Sequence, residues 1–126
     1  MTLSADIYFS YRSPYSYLAL KRVYAIADAF GLELKLRPVL PMVMRGMQVP
    51  HAKLLYIATD TTREAERLGV PYGKIADPVG AGAERCLAVF QYAESEHKGR
   101  EFLLNAGTAI WGEAVDVATD KGMRKG

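Results

Sequence analysis

Asp6-Ile7-Tyr8-Phe9-Ser10-Tyr11-Arg12-Ser13-Pro14-Tyr15-Ser16 is the stretch on which the reading of the fold turns. Its first five residues are rich in β-formers and put Ile7 and Phe9 on one face and Tyr8 on the other, which predicts a strand. Ser13-Pro14 then has the form of a helix start, a capping hydroxyl followed by proline at the first helical position. A hydroxyl is thereby set at a helix N-terminus, where aligned peptide dipoles favour an anion or a thiolate.

Working outward, Ala19, Val23, Ile26, Ala27 and Phe30 recur at helical spacing, while Lys21, Arg22 and Asp28 fall off that stripe. Gly31 supplies the C-terminal stop. Leu32 to Arg37 alternates apolar and charged residues, the signature of a strand with one buried face, and Pro38 ends it. Strand, helix and strand make a βαβ unit, whose strands should be parallel with a right-handed crossover.

Residues 38–50 hold three prolines and three methionines and match neither period, so they read as a loop with short helical pieces. His51 to Leu68 is expected as a helix with Leu54, Ala58, Thr61, Ala65 and Leu68 on its inner face, stopped by Gly69 and Pro71. Pro71 to Gly82 reads as an irregular connection. Ala83 to His97 follows as a helix with Cys86, Val89, Phe90 and Ala93 inward. Lys98-Gly99 is a turn, and Arg100 to about Trp111 is a further helix from which Ala114 to Ala118 leads on. The tail from Thr119 has a cap-like start followed by basic residues rather than a finished element.

The fold class expected is therefore α/β: a βαβ unit over residues 1–40, then an α-helical portion over 41–126. Two parallel strands alone make a poor sheet, because their outer edges stay unpaired. The expectation is that C-terminal strands completing the sheet are missing, and that the open edges favour a homodimer.

At 126 residues, 50% of them hydrophobic, the chain can bury one ordinary core, which sets disorder aside. Sixteen basic against fourteen acidic residues leave a charge of +2, and their interspersion argues against nucleic acid or a membrane surface as partner. The single cysteine, Cys86, cannot form an internal disulfide and suits a reducing compartment, so the cytoplasm is the expected location. No apolar run approaches the roughly 20 residues of a membrane span, and no signal-peptide pattern opens the chain.

Phe9-Ser-Tyr-Arg-Ser-Pro-Tyr-Ser-Tyr-Leu-Ala19 resembles the N-terminal signature of the 2-hydroxychromene-2-carboxylate isomerase family. That group is related to kappa-class glutathione transferases and lies within the DsbA-like thioredoxin superfamily. Arg67-Leu-Gly-Val-Pro-Tyr72 and Ala83-Glu-Arg-Cys-Leu87 are similar to the family's inserted helical domain. The resemblance covers essentially the whole chain, but only the N-terminal part of a typical member. It implies a thioredoxin-like βαβ unit with an inserted helical domain, and a glutathione-dependent isomerase acting on an aromatic carboxylate in the breakdown of polycyclic aromatic compounds.

Ser13 matches the serine that in this family contacts the glutathione sulfur and favours its thiolate, so it carries both the catalytic and the glutathione-binding expectation. A hydroxyl donor and the helix dipole both stabilise charge on sulfur. The same serine also fits a plain helix cap, and Ser16, one turn in, fits a backbone-bonded hydroxyl. Related proteins often carry Cys-x-x-Cys here; with Ser13 and Ser16 in its place, dithiol–disulfide cycling is excluded. The rival readings are a non-catalytic thioredoxin-like binding module or truncated remnant, and a kappa-class-like transferase.

The resemblance further implies Arg45 as partner of a substrate carboxylate and Lys53 as a residue near the same pocket, each also readable as a solvated surface charge. Met42, Met44 and Met47 suit either an adaptable apolar wall or ordinary packing. His51 lacks a second ligand or paired carboxylate at useful spacing and reads as structural or exposed, and no metal site is indicated. Cys86 reads as a small buried hydrophobe.

Overall fold

The structure, a computed structural model, describes residues 3–125. Strand β1 (Ser4–Phe9), helix α1 (Pro14–Phe30) and strand β2 (Glu33–Pro38) form the expected βαβ unit, with the strands parallel and in register from Ser4 opposite Glu33 to Phe9 opposite Pro38. Helix α1 ends on Gly31, whose φ of 64° is the left-handed conformation that a side chain would oppose. A 3₁₀ turn (Met42–Arg45) follows, then helices α2 (His51–Leu68), α3 (Ala81–Ser95), α4 (Gly99–Gly112) and α5 (Asp120–Lys125).

The alternation read in the strands is the one observed. Ile7 and Phe9 of β1 and Leu34 and Leu36 of β2 turn inward, while Tyr8 stays exposed. Phe9 lies edge-on to Phe90 of α3 with ring centroids 6.0 Å apart, which joins the sheet to the helices. Helix α4 packs on both α1 and α3, and α1 also packs on α2. One core cluster unites Phe9, Leu18 and Tyr24 with Phe90, Leu103 and Ile110, so side chains from both sides of residue 40 share it.

Several expectations need correction. The buried face of α1 is Tyr17, Leu18, Leu20, Tyr24 and Ala27, whereas Ile26 and Phe30 of the predicted stripe are exposed. The aromatic Tyr17 and Tyr24, larger than the alanines that suggested the stripe, bury more area against α4 and set the rotation of the helix. Helix α3 stops at Ser95 rather than His97, which adopts φ 59° in the turn to α4. Residues 114–118, which lead on from α4, do so as a sharp turn: Ala114 has φ 54°, and Val115 and Val117 are buried. The basic tail forms a short helix; Thr119 Oγ1 accepts the Gly122 N–H at 2.9 Å, as a cap does.

Tight packing fixes the junction beneath Ser13. Gly107 of α4 lies against the Tyr17 ring so closely that a Cβ there would stand 2.7 Å from Tyr17 Cδ1. That approach lets the Tyr17 hydroxyl donate to the Pro71 carbonyl at 2.6 Å, tying the first turn of α1 to the segment after α2. No helix of the described residues is long and apolar enough to cross a membrane.

Candidate functional site

A cleft of about 500 Å³ opens at the N-terminal end of α1, and Ser13 lines it. Ser13 is the N-cap, with φ −98° and ψ 113°, and its Oγ accepts the Ser16 N–H at 3.2 Å. Capping uses a lone pair and leaves the Ser13 O–H proton free to donate elsewhere. No acidic residue occupies the first turn of α1, so nothing on the helix itself offsets the positive end of its dipole. Ser16 behaves as read: its Oγ accepts the Ser10 N–H at 3.4 Å, which ties the end of β1 to the first turn of the helix.

The walls come from four segments. Met42 and Arg45 contribute from the 3₁₀ turn, and Leu54 and Ile57 from the N-terminal half of α2. Tyr72 and Trp111 form an aromatic side, their planes 9° apart and their centroids separated by 6.2 Å. Both rings are pinned: the Tyr72 hydroxyl bonds the fully buried Thr61 Oγ1 at 2.8 Å, and the Trp111 indole N–H donates to the Tyr11 carbonyl at 3.2 Å. Immobilised rings cost little further entropy when a flat ligand stacks on them.

Arg45 lines the cleft, and its Nε donates to the Leu40 carbonyl at 2.9 Å. Lys53 is exposed in the first turn of α2 and stands outside the cleft lining, although its neighbour Leu54 belongs to it. Among the methionines, Met42 lines the cleft, whereas Met44 is half-buried with its sulfur accepting the Gly80 N–H at 3.3 Å; Met47 is exposed. His51 is exposed and away from the lining. Among the described residues no three His, Cys, Asp or Glu side chains are grouped to hold a metal ion.

Two polar connections at the cleft escaped the sequence reading. Arg12 makes a bidentate pair with Asp77, Nε to Oδ1 at 3.0 Å and Nη2 to Oδ2 at 3.1 Å. Tyr15 donates its hydroxyl to Asp60 of α2 at 2.5 Å, and this hydrogen bond pushes the phenol up to about 12. Arg12 and Tyr15 flank Ser13-Pro14, so position alone could have drawn attention to them. Asp77 lies 65 residues from Arg12 in an irregular segment, and no periodic signal marks it.

Cys86 is buried in the core away from the cleft, and burial pushes its thiol up to about 12, which fits the packing role read for it. Burial likewise raises the Tyr11 phenol, whose hydroxyl lacks a partner among the described residues.

Comparison with known proteins agrees with this architecture. Residues 5–125 match the DsbA-like thioredoxin domain. A 2-hydroxychromene-2-carboxylate isomerase of Pseudomonas putida is 26% identical over 118 aligned residues, covering 87% of this chain and 57% of that protein. A solved structure of 2-hydroxychromene-2-carboxylate isomerase superposes with a TM-score of 0.74 at 25% identity, covering 94% of this chain and 61% of the other. The chain thus spans less than two thirds of the length of either relative. The βαβ unit is a thioredoxin-like unit and the helices after β2 correspond to its helical insertion. With nearly its whole length matched, the chain belongs to the DsbA-like thioredoxin-domain family.

Proposed function

We propose that this chain is a glutathione-dependent isomerase acting on an aromatic carboxylate similar to 2-hydroxychromene-2-carboxylate, the substrate in the name of its relatives. The observation that carries the reading is the Ser13 hydroxyl, a cap through its lone pair, lining a cleft at a helix N-terminus free of first-turn acid. Glutathione supplies a thiol nucleophile whose reversible addition to a conjugated double bond permits rotation about it.

The residues present fit that group and its substrate. Ser13 would direct its O–H toward sulfur, and the α1 dipole adds to the stabilisation of negative charge there. Arg45, with its terminal nitrogens not engaged in any ion pair among the described residues, would take the substrate carboxylate. Tyr72 and the edge of the largely buried Trp111 would contact the flat ring, with Met42 and Leu54 of the same lining adapting to its outline. Lys53, outside the lining, is given no contact with the bound ring.

The experiment is a spectrophotometric assay of 2-hydroxychromene-2-carboxylate conversion with and without glutathione. Conversion that requires glutathione and falls at least about tenfold in Ser13→Ala supports the reading. Glutathione binding without conversion would make the chain a non-catalytic thioredoxin-like binding module.

A further inference from the structure

The charged side chains lining the cleft are Arg12, Arg45 and Asp77, which leave it one net positive charge. The two arginines are not equivalent. Arg12 is committed to Asp77 through both of its engaged nitrogens, at 3.0 and 3.1 Å. Asp77 is itself fixed by its own turn, since Oδ1 also accepts the Val79 N–H at 3.0 Å. Arg45 spends only Nε, on a backbone carbonyl.

We infer that Asp77 determines specificity: by occupying Arg12 it leaves Arg45 as the one available guanidinium, so the cleft selects aromatic ligands with a single carboxylate over aromatic ligands with two. This rests on the reading of the cleft as the aromatic carboxylate site. A second carboxylate would have to compete with Asp77 for Arg12. Displacing Asp77 leaves a fixed carboxylate facing the incoming one, and like charges at such distances repel. Removing the Asp77 charge releases Arg12 one residue from Ser13 and gives the cleft a second anion-binding position.

The test is calorimetric titration at low ionic strength with 2-naphthoate and 2,6-naphthalenedicarboxylate, in the absence of glutathione. Wild type is expected to bind the monocarboxylate more tightly than the dicarboxylate. In Asp77→Asn, whose amide oxygen can still accept the Val79 N–H, the preference should shift toward the dicarboxylate by about tenfold. Arg12→Gln should weaken both ligands, and the double variant Arg12→Gln/Asp77→Asn should return to the wild-type preference because the net charge is restored. Circular dichroism of each variant reports its folding. An unchanged preference in folded Asp77→Asn, with 2-naphthoate still bound, overturns the assignment of Asp77 alone. Failure of wild type to bind 2-naphthoate overturns it together with the aromatic carboxylate reading.

Discussion

Ser13 Oγ accepts the backbone N–H of Ser16 at 3.2 Å, so the oxygen proposed to face a thiol is also the cap of α1. The two roles use different parts of one hydroxyl, an acceptor lone pair and a donor proton, and substitution can separate them. Ser13→Asp keeps a strong cap and should change stability by less than about 0.5 kcal/mol, yet it supplies negative charge and no proton at neutral pH. Ser13→Ala should lose the cap, at a cost of about 1 kcal/mol, and the donor as well. Denaturant melts of both variants, paired with turnover, should show activity lost in each and stability lost only in the alanine variant. Activity retained by Ser13→Asp would assign the serine to capping alone.

The first turn of α1 depends on close packing from the opposite side. In Gly107→Ala the new methyl would meet the Tyr17 ring, whose hydroxyl holds the Pro71 carbonyl. Overpacking of this kind costs about 1–3 kcal/mol, and urea denaturation should show a lower midpoint. An unchanged midpoint would mean that Tyr17 yields without strain.

Much of this was legible beforehand and some was not, for physical reasons. The βαβ unit was readable because Ile7 and Phe9, Leu34 and Leu36 repeat with the strand period, and because Ser13-Pro14 and Gly31 are local cap signals. The rotation of α1 is not legible in the sequence because alanines are compatible with many faces, whereas Tyr17 and Tyr24 find their places only once α4 is present. Ser13 is legible as a candidate for the same local reason. The Arg12–Asp77 pair and the Tyr72–Trp111 stack join distant segments, and such contacts leave no short-range pattern. Trp111 in particular read as the last residue of a helix rather than as a wall.

Cys86 gives a probe of core integrity. Burial pushes its thiol up to about 12 from an ordinary value of 9.0, so the folded-state pKa is raised. The stability linked to the neutral thiol is then fully present below the unfolded value and is lost as pH rises from about 9 toward about 12. A disulfide-exchange reagent at pH 8 should leave the native thiol unlabelled and react with one thiol per chain in denaturant. Rapid native labelling would place Cys86 at the surface.

The Tyr15–Asp60 hydrogen bond predicts an unusual phenol beside the site. Its pKa is raised to about 12, so any linked stability is present below the ordinary 10.0 and is lost as pH climbs through about 12. Difference absorbance titration of wild type against Tyr15→Phe should show one tyrosinate missing from the upper part of that window. A missing component centred at 10.0 would mean that the bond to Asp60 does not persist in solution.

The central claim is that Ser13 and the α1 N-terminus hold the sulfur of glutathione as a thiolate. Its most direct test is the thiolate absorbance near 240 nm of glutathione titrated into the protein at neutral pH, followed in parallel by thermal melting. Wild type should give a saturable absorbance increase and a rise in Tm that grows with glutathione concentration; Ser13→Ala should lose the absorbance increase. Millimolar glutathione that produces neither an absorbance change nor a Tm shift in wild type would contradict the claim.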